Sequence, residues 1–150
     1  MADIVSPAVR SRMMAGIRAK NTKPEMIVRR GLHAMGFRYR LHDRKLPGKP
    51  DLVLPKYRSV IFVNGCFWHG HDCAMFKLPS TRTDFWRAKL ARNAENDVAA
   101  CDSLIAKEWR VGVVWECAIR GKHRLPEGET MQKLASWLRS KNETLTIRGL

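Results

Sequence analysis

The segment at residues 60–73 constrains the fold of this chain more than any other stretch. It reads VIFVNGCFWHGHDC, an apolar run typical of a buried β-strand, followed directly by a short loop. Gly65 and Gly70 allow the backbone to bend after the strand. The loop carries two Cys, two His, one Asp and two adjacent aromatic residues, more metal-binding side chains than a purely structural loop needs. We therefore interpret this loop as carrying the functional residues of the protein.

The balance of charge favours a polyanionic partner. Lys and Arg number 28 against 14 Asp and Glu, so the formal net charge is +14. Basic side chains that neutralise phosphates release condensed counterions, and this release drives binding to nucleic acid. The alternative is a soluble protein that is basic without such a partner. The length of 150 residues suits a single domain over residues 1–150 with a real hydrophobic core.

The ends and the cysteines of the chain bear on its cellular compartment. Residues 1–7 lack the basic-then-apolar pattern of a signal peptide, and no apolar run is long enough to cross a membrane. We expect a cytoplasmic protein with no membrane partner. The four cysteines then indicate metal binding or core packing rather than disulfides.

Apolar periodicity, helix caps and turn residues predict helices and strands along the whole chain. Thr22 with Glu25 has the capping-box pattern, and Thr81 or Thr83 can cap the long helix. No element is predicted for the tail at residues 141–150. The first predicted helix covers residues 7–20, the second ends near 36, the long one reaches about 107, and the last covers 129–140. The predicted strands are 37–41, 51–54, 59–63 and 110–115.

Two of these helices carry apolar stripes that predict which face is buried. The basic helix at 7–20 could pack on the domain or lie along DNA. The second helix is expected to bury Met26, Ile27, Leu32 and Met35. The long helix is expected to bury Trp86, Leu90, Ala94, Val98, Cys101 and Ile105, with Lys89 and Asn93 on its polar side.

The order of elements predicts an α/β fold with a mixed central sheet flanked by helices. The strands at 59–63 and 110–115 are joined by a helix of crossover length, so they should run parallel and end at the same sheet edge. Cys66 and Cys117 then emerge together. The turn after residue 54 places Asp51 opposite Phe62, with its carboxylate beside the main chain of Val63 and Asn64.

Cysteine and histidine at this edge suit a tetrahedral zinc ion. Four protein ligands would close the site, so the metal would be structural. The alternative is a set of core thiols with a surface histidine. Cys101 lies on the long helix and is expected to be a buried small hydrophobe. The predicted zinc ligands are Cys66, His71, Cys73 and Cys117.

Asp51, His69 and Glu25 are the candidates for chemistry. Asp51 is either a turn aspartate or a ligand of Mg²⁺, which prefers oxygen donors. His69 could act as a general base or acid near neutral pH, and His71 could exchange roles with it. Glu25 is either a helix-capping residue or part of the site.

Several segments together resemble the very short patch repair endonucleases. The similarity covers about residues 8–140. These enzymes nick DNA on the 5′ side of the T in a T:G mismatch, which arises when 5-methylcytosine deaminates, and have a PD-(D/E)XK restriction-endonuclease-like core with an added structural zinc. The segments are RSRMM (10–14), NTKPE (21–25), LPGKPD (46–51), FVNGCFWHGHDC (62–73), KLPSTRT (77–83) and VWECA (114–118).

The resemblance implies a role for each candidate. Asp51 and the main-chain carbonyl of Val63 would bind a catalytic Mg²⁺, His69 would be the catalytic histidine, and Glu25 would support the site. Asn64 stands where some members have His; it can donate a hydrogen bond but cannot carry a proton, so proton transfer would fall to His69. The four predicted zinc ligands coincide with those of the family.

The resemblance also implies which residues meet DNA. Phe67, Trp68 and Trp86 would wedge into the base stack beside the mismatch, although each could instead be a core residue, and we expect Phe67–Trp68 to be exposed. Met14, Lys89 and Asn93 would contact the duplex around it. The expected partner is double-stranded DNA with a T:G mismatch, bound by a monomer, while binding of other repair proteins stays open. The alternatives are a non-cleaving mismatch-binding module and a restriction-type nuclease acting on paired duplex.

Overall fold

A computed structural model describes residues 22–150, so the predicted basic helix at 7–20, with Met14, lies outside the described residues. Its centre is a single sheet of five strands in sequential order. The first three strands are antiparallel, and the last three are parallel. This arrangement confirms the mixed α/β fold. The strands are β1 (Arg40–Leu41), β2 (Leu52–Leu54), β3 (Ser59–Asn64), β4 (Arg110–Trp115) and β5 (Thr144–Ile147).

Four α-helices accompany the sheet in the described part of the chain: α1 (Lys23–Ala34), α2 (Thr83–Ala106), α3 (Glu116–Ile119) and α4 (Glu129–Arg139). Side chains of α1 and α4, including Leu32 and Leu134, pack in the larger apolar cluster. Leu104 of α2 packs in a second cluster with Val60 and Val111. Residues of the three central strands, β2, β3 and β4, are divided between these clusters, so helices cover both faces of the sheet. Among residues 22–150, no helix is long and apolar enough to cross a membrane.

The strand register brings the predicted residues to one edge of the sheet. Asn64 pairs with Trp115 at the parallel ends of β3 and β4, as predicted. Leu52 pairs with Ile61 between β2 and β3, and the same register places Asp51 opposite Phe62. The loop after β3 and the helix after β4 therefore begin side by side.

The buried face of helix α1 agrees only in part with the predicted one. Leu32 is fully buried, as predicted, but Ile27 is 41% exposed and Met35 is 40% exposed, and the fully buried Val28 was not predicted. Glu25 lies on this inward face, at three and seven residues before Val28 and Leu32, and is only 2% exposed. The apolar pattern was misleading here because the inward face of the first turn carries a carboxylate.

Helix α2 also differs from prediction, at its cap and along its middle. Arg82 in the left-handed conformation precedes the helix, while the Thr83 hydroxyl donates to the Pro79 carbonyl at 2.9 Å. Val98 is 62% exposed, so the predicted apolar stripe is wrong in this part. Asn93 and Asp97 contact the loop after β3 instead, because the first half of α2 crosses a polar loop rather than the core.

The tail, where no element was predicted, contains strand β5. The segment Thr144–Ile147 pairs in parallel with β4 and places Ile147 in the core. Beyond it, the Gly149 amide donates to Cys117 Sγ at 3.3 Å, and Arg148 donates to Asp72 at 2.7 Å. The tail thus packs directly on the loop after β3 and the helix after β4.

We expect Gly149→Ala to destabilise the fold. A Cβ atom at this position would lie 2.5 Å from the Cys117 carbonyl oxygen and 2.6 Å from that of His123, both main-chain atoms that cannot move alone. Overpacking of this kind costs about 1–3 kcal/mol of unfolding free energy, measurable by urea denaturation. The neighbouring Leu150→Ala is the control, since Leu150 is 82% exposed. Equal effects of the two substitutions would contradict the close packing at Gly149.

Candidate active site

A Cys/His group lies where the loop after β3 meets α3. Cys66, His71, Cys73 and Cys117 each offer one ligand atom, and these atoms all lie within 4.8 Å of one another. Cys117 Sγ is 3.6 Å from His71 Nδ1. The four residues predicted to share a metal are therefore together, and this group could hold a metal ion.

The surroundings of this group hold its ligands in place. The Trp115 ring stacks on the His71 imidazole at 3.9 Å between centroids and 8° between planes. Glu116 accepts the Cys66 amide hydrogen at 3.2 Å. Burial lowers the pKa of His71, which leaves the imidazole neutral and able to donate a lone pair. Burial also raises the pKa of the Cys66 thiol, so metal binding must displace its proton.

His69 belongs to a different arrangement from His71. Its Nδ1 lies 2.5 Å from Asp97 Oδ2, at the inward face of α2. An ionised carboxylate only accepts hydrogen bonds, so in this contact Nδ1 is the donor. His71 thus belongs to the Cys/His group, whereas His69 pairs with Asp97, a carboxylate that sequence reasoning missed.

A second group contains the predicted carboxylates. Asp51 Oδ2 accepts the Val63 amide hydrogen at 2.7 Å, as expected from the register. Glu25, His42 and Asp51 offer ligand atoms within 4.8 Å of one another. Burial raises the pKa of Asp51 to about 7, and the neighbouring Glu25 adds to this, while the bond from Val63 opposes it. A divalent cation would compensate the two carboxylates.

The Glu25 side chain borders the cleft, while Thr22 caps the helix. Thr22 Oγ1 accepts the Glu25 amide hydrogen at 3.4 Å, so Thr22 caps α1 as predicted. The Glu25 carboxylate, however, contacts Arg29 at 3.3 Å and His42 at 2.8 Å. Its charge is therefore directed toward Asp51 and the cleft rather than to the start of the helix.

One cleft of about 1130 Å³ connects the candidates. Asn64, 7% exposed, lies at the end of β3 and also borders this cleft. The cleft has a volume just above the range of about 300–1,000 Å³ that is usual for small-molecule pockets. Its lining includes Glu25, His42, Asp51, Val63, Asn64, Phe67, Trp68, His69, Asn93 and Asp97.

The aromatic residues form a cluster, and one prediction about them is wrong. Trp68 was expected to be exposed but is 8% exposed, because its ring packs edge-on against Phe67 at 5.1 Å and Trp86 at 5.8 Å between centroids. Phe67 and Trp86 are half-buried. Phe85, at the outer side of the cluster, is 45% exposed.

The polar residues of α2 lie on two sides of this cluster. Asn93 Nδ2 donates to the Trp68 carbonyl at 2.9 Å, so in the free protein it holds the loop. Lys89 is half-buried one turn earlier. Asp97 lies four residues after Asn93, one helical turn further on the same face, and this spacing is the signal that could have found it.

The fold and cleft together define a restriction-endonuclease-like α/β nuclease: a mixed sheet with carboxylates, a carboxylate-bonded histidine and a metal-capable group at one edge. Residues 2–75 match the family model of the DNA mismatch endonuclease Vsr. The chain therefore belongs to the Vsr family of DNA mismatch endonucleases, and it is a DNA-cleaving hydrolase.

Relatives in three bacteria support this membership. The type II nicking enzyme V.XorIIP of Xanthomonas oryzae pv. oryzae is 48% identical over 119 residues, covering 79% of this chain and 88% of that protein. The DNA mismatch endonuclease Vsr of Escherichia coli K12 is 42% identical over 138 residues, covering 92% and 88%. The type II nicking enzyme V.NmeAIP of Neisseria meningitidis is 45% identical over 122 residues, covering 81% and 87%.

Proposed function

We propose that this endonuclease nicks one strand of duplex DNA on the 5′ side of the T in a T:G mismatch, as a cytoplasmic monomer with a single domain. One observation carries the proposal. Asp51, bonded to the main chain of Val63, and His69, bonded to Asp97, border the same cleft. A cleft with a carboxylate site and an oriented imidazole suits hydrolysis of a phosphodiester.

Mg²⁺ fits the oxygen donors beside Asp51. The Asp51 carboxylate keeps one oxygen for a cation while the other accepts from Val63, and the Val63 carbonyl would be a second ligand. When bound there, the ion would stabilise the charge that develops on the phosphate. Glu25 would hold the site from α1, and Asn64 would donate a hydrogen bond at its edge.

His69 would take the proton from the attacking water. With Nδ1 donating to Asp97, the neutral form of the ring presents Nε2 as its acceptor atom, which is the form that a general base requires. Asp97 would orient the ring and stabilise the imidazolium that forms. Since Asn64 cannot accept that proton, His69 carries this step.

Asp97→Asn is expected to slow nicking about 100-fold, within the range that general-base catalysis contributes. An amide can present its NH₂ group to Nδ1, which favours the tautomer with the hydrogen on Nε2 and removes the base. Single-turnover nicking rates measure this effect.

Asp102→Asn is the matched control, because Asp102 is an exposed aspartate on the same helix. It should nick at the parental rate. If Asp97→Asn also nicks at that rate, His69 does not depend on Asp97.

A zinc ion in the Cys/His group would stabilise the loop after β3, which would contact DNA. Three thiolates and one imidazole are the donor set of structural zinc sites, and Cys117 would tie the loop after β3 to α3. Phe67, Trp68 and Trp86 would then insert beside the mismatch. Because Trp68 is buried in the free protein, this step would require the aromatic cluster to open onto the base stack.

Mismatch specificity would follow from the energy of that insertion. Wedging a side chain into a base step costs a few kcal/mol, and least at a mismatched pair. Lys89, Asn93 and Met14 would contact the duplex nearby, and the net charge of +14 favours binding to its phosphates. Two relatives, V.XorIIP and V.NmeAIP, are named as nicking enzymes, which supports cleavage of a single strand.

End-labelled duplexes with either T:G or T:A at one position, incubated with protein and Mg²⁺, test the proposal. We expect nicking 5′ of the T in the T:G duplex only. Binding without nicking would support the non-cleaving alternative, and equal cutting of both duplexes would support the restriction-type alternative.

A further inference from the structure

His42 occupies a place in the cleft that the proposed reaction does not use. It follows β1, and its main-chain amide donates to the Asp51 carbonyl at 3.0 Å, which fixes it beside Asp51. Its Nε2 lies 2.8 Å from Glu25 Oε2. The side chains of His42 and Glu25 are 14% and 3% exposed, so the contact is largely shielded from water.

We infer that His42 is a nitrogen ligand of the cation site at Asp51, and that this site therefore binds Mn²⁺ or a similar transition-metal ion more tightly than Mg²⁺. The inference rests on the proposed function, since it concerns the same cleft. It adds a donor atom and a metal preference that a site of oxygen ligands alone would not have.

The distances suit coordination by one ion. Ligands at about 2.1 Å from an octahedral ion are about 3 Å apart at neighbouring corners, which is close to the 2.8 Å between His42 Nε2 and Glu25 Oε2. The Asp51 ligand atom lies within 4.8 Å of both. The ion would replace the hydrogen now shared between Nε2 and Oε2.

The charges of the cluster also call for a cation. Glu25 and Asp51 bring two carboxylates together, and Arg29, 3.3 Å from Glu25, supplies a single fixed positive charge. The cluster therefore keeps a net negative charge, which attracts a divalent ion without requiring a charged imidazole. A neutral imidazole suits Mn²⁺ and the later first-row ions, whereas Mg²⁺ prefers oxygen ligands and retains its water.

Mn²⁺ binding to the zinc-loaded full-length protein, without DNA, tests this inference. Electron paramagnetic resonance measures the free Mn²⁺ during a titration, and its pulsed form detects a coordinated imidazole nitrogen. His42→Gln should remove the nitrogen signal and weaken Mn²⁺ binding by about tenfold or more, since even outer-shell partners contribute that much. The affinity for Mg²⁺, measured by its competition with Mn²⁺, should fall far less in His42→Gln than the affinity for Mn²⁺.

His33→Gln is the matched control, because His33 is an exposed histidine in the last turn of α1. It should keep both the nitrogen signal and the affinity. No nitrogen signal in the parent, or a signal that persists in His42→Gln, would overturn the inference. Equal weakening of Mn²⁺ and Mg²⁺ would also overturn it, since His42 would then act only by positioning Glu25.

The nicking assay in Mg²⁺ separates this inference from the proposed function. Protein that nicks the T:G duplex but shows no imidazole nitrogen on bound Mn²⁺ retains the proposed function and refutes the ligand. Protein that shows the nitrogen but nicks no duplex keeps the metal site and refutes the proposed function.

Discussion

Asp51→Asn is expected to reduce nicking of a T:G duplex by at least about 1,000-fold, because stabilisation of the phosphate by a metal is worth several kcal/mol. The amide preserves the size of the side chain and can still accept from the Val63 amide, which lies 2.7 Å from Asp51 Oδ2. What it loses is the negative charge that would hold the ion. Single-turnover rates in saturating Mg²⁺ measure the loss.

Binding and folding controls make this result interpretable. Affinity of Asp51→Asn for the T:G duplex should change little, since the aromatic residues and the basic side chains are intact.

The stability of the fold gives a second control. Burial raises the pKa of Asp51 to about 7, so the folded state binds its proton more tightly than the unfolded state does. The free energy of unfolding therefore falls as pH rises from about 4 to 7. Asp51→Asn removes that cost and should be at least as stable at neutral pH without metal. A variant that nicks normally would exclude Asp51 from the metal site.

The residues that meet at the edge of the sheet could be predicted from the sequence, because the strands show clear local patterns and their connections allow few topologies. The apolar runs of β3 and β4 and the helical segment between them require parallel strands, and parallel strands end together. That reasoning united Cys66 and Cys117 from positions far apart in the chain. Likewise, the short connection between β2 and β3 placed Asp51 beside Val63.

His42 and Asp97 were missed because their partners are distant in sequence. The pair His69–Asp97 spans 28 residues, and the pair Glu25–His42 spans 17. The helical spacing from Asn93 places Asp97 on the same face of the helix, but it does not identify His69 as the partner. In α2, periodicity favoured Ala94 and Val98, and the polar loop turned the neighbouring face inward instead.

Trp68 illustrates a different limit. A tryptophan beside glycine and polar ligands suggested exposure, yet the ring is 8% exposed because Phe67 and Trp86 surround it. Burial of an aromatic cluster lowers the free energy of the unbound protein. A wedge built from such residues has to exchange these contacts for contacts with bases, and this exchange is invisible in a sequence.

Cys117→Ala is expected to remove the bound metal and to lower the stability of the protein together. Its thiol lies 3.6 Å from His71 and also accepts the Gly149 amide at 3.3 Å, so the loop, α3 and the tail meet at this atom. We expect a loss of about 4 kcal/mol or more in unfolding free energy, because removal of a structural metal belongs to the few substitutions with such large effects. Metal analysis of the purified protein and urea denaturation measure the two quantities.

Cys101→Ala is the matched control for this prediction. Cys101 is a half-buried cysteine on α2 outside the Cys/His group, and its thiol packs against the second apolar cluster. Its replacement should leave the metal content unchanged and cost about 1 kcal/mol, as typical substitutions do. Cys117→Ala should also unfold at the same denaturant concentration with or without added chelator, whereas the parent should become less stable when chelator is added. The parent protein could instead contain no zinc and keep its stability when chelator is added. Packing and hydrogen bonds alone would then hold the loop, α3 and the tail together, and the Cys/His group would not be a metal site.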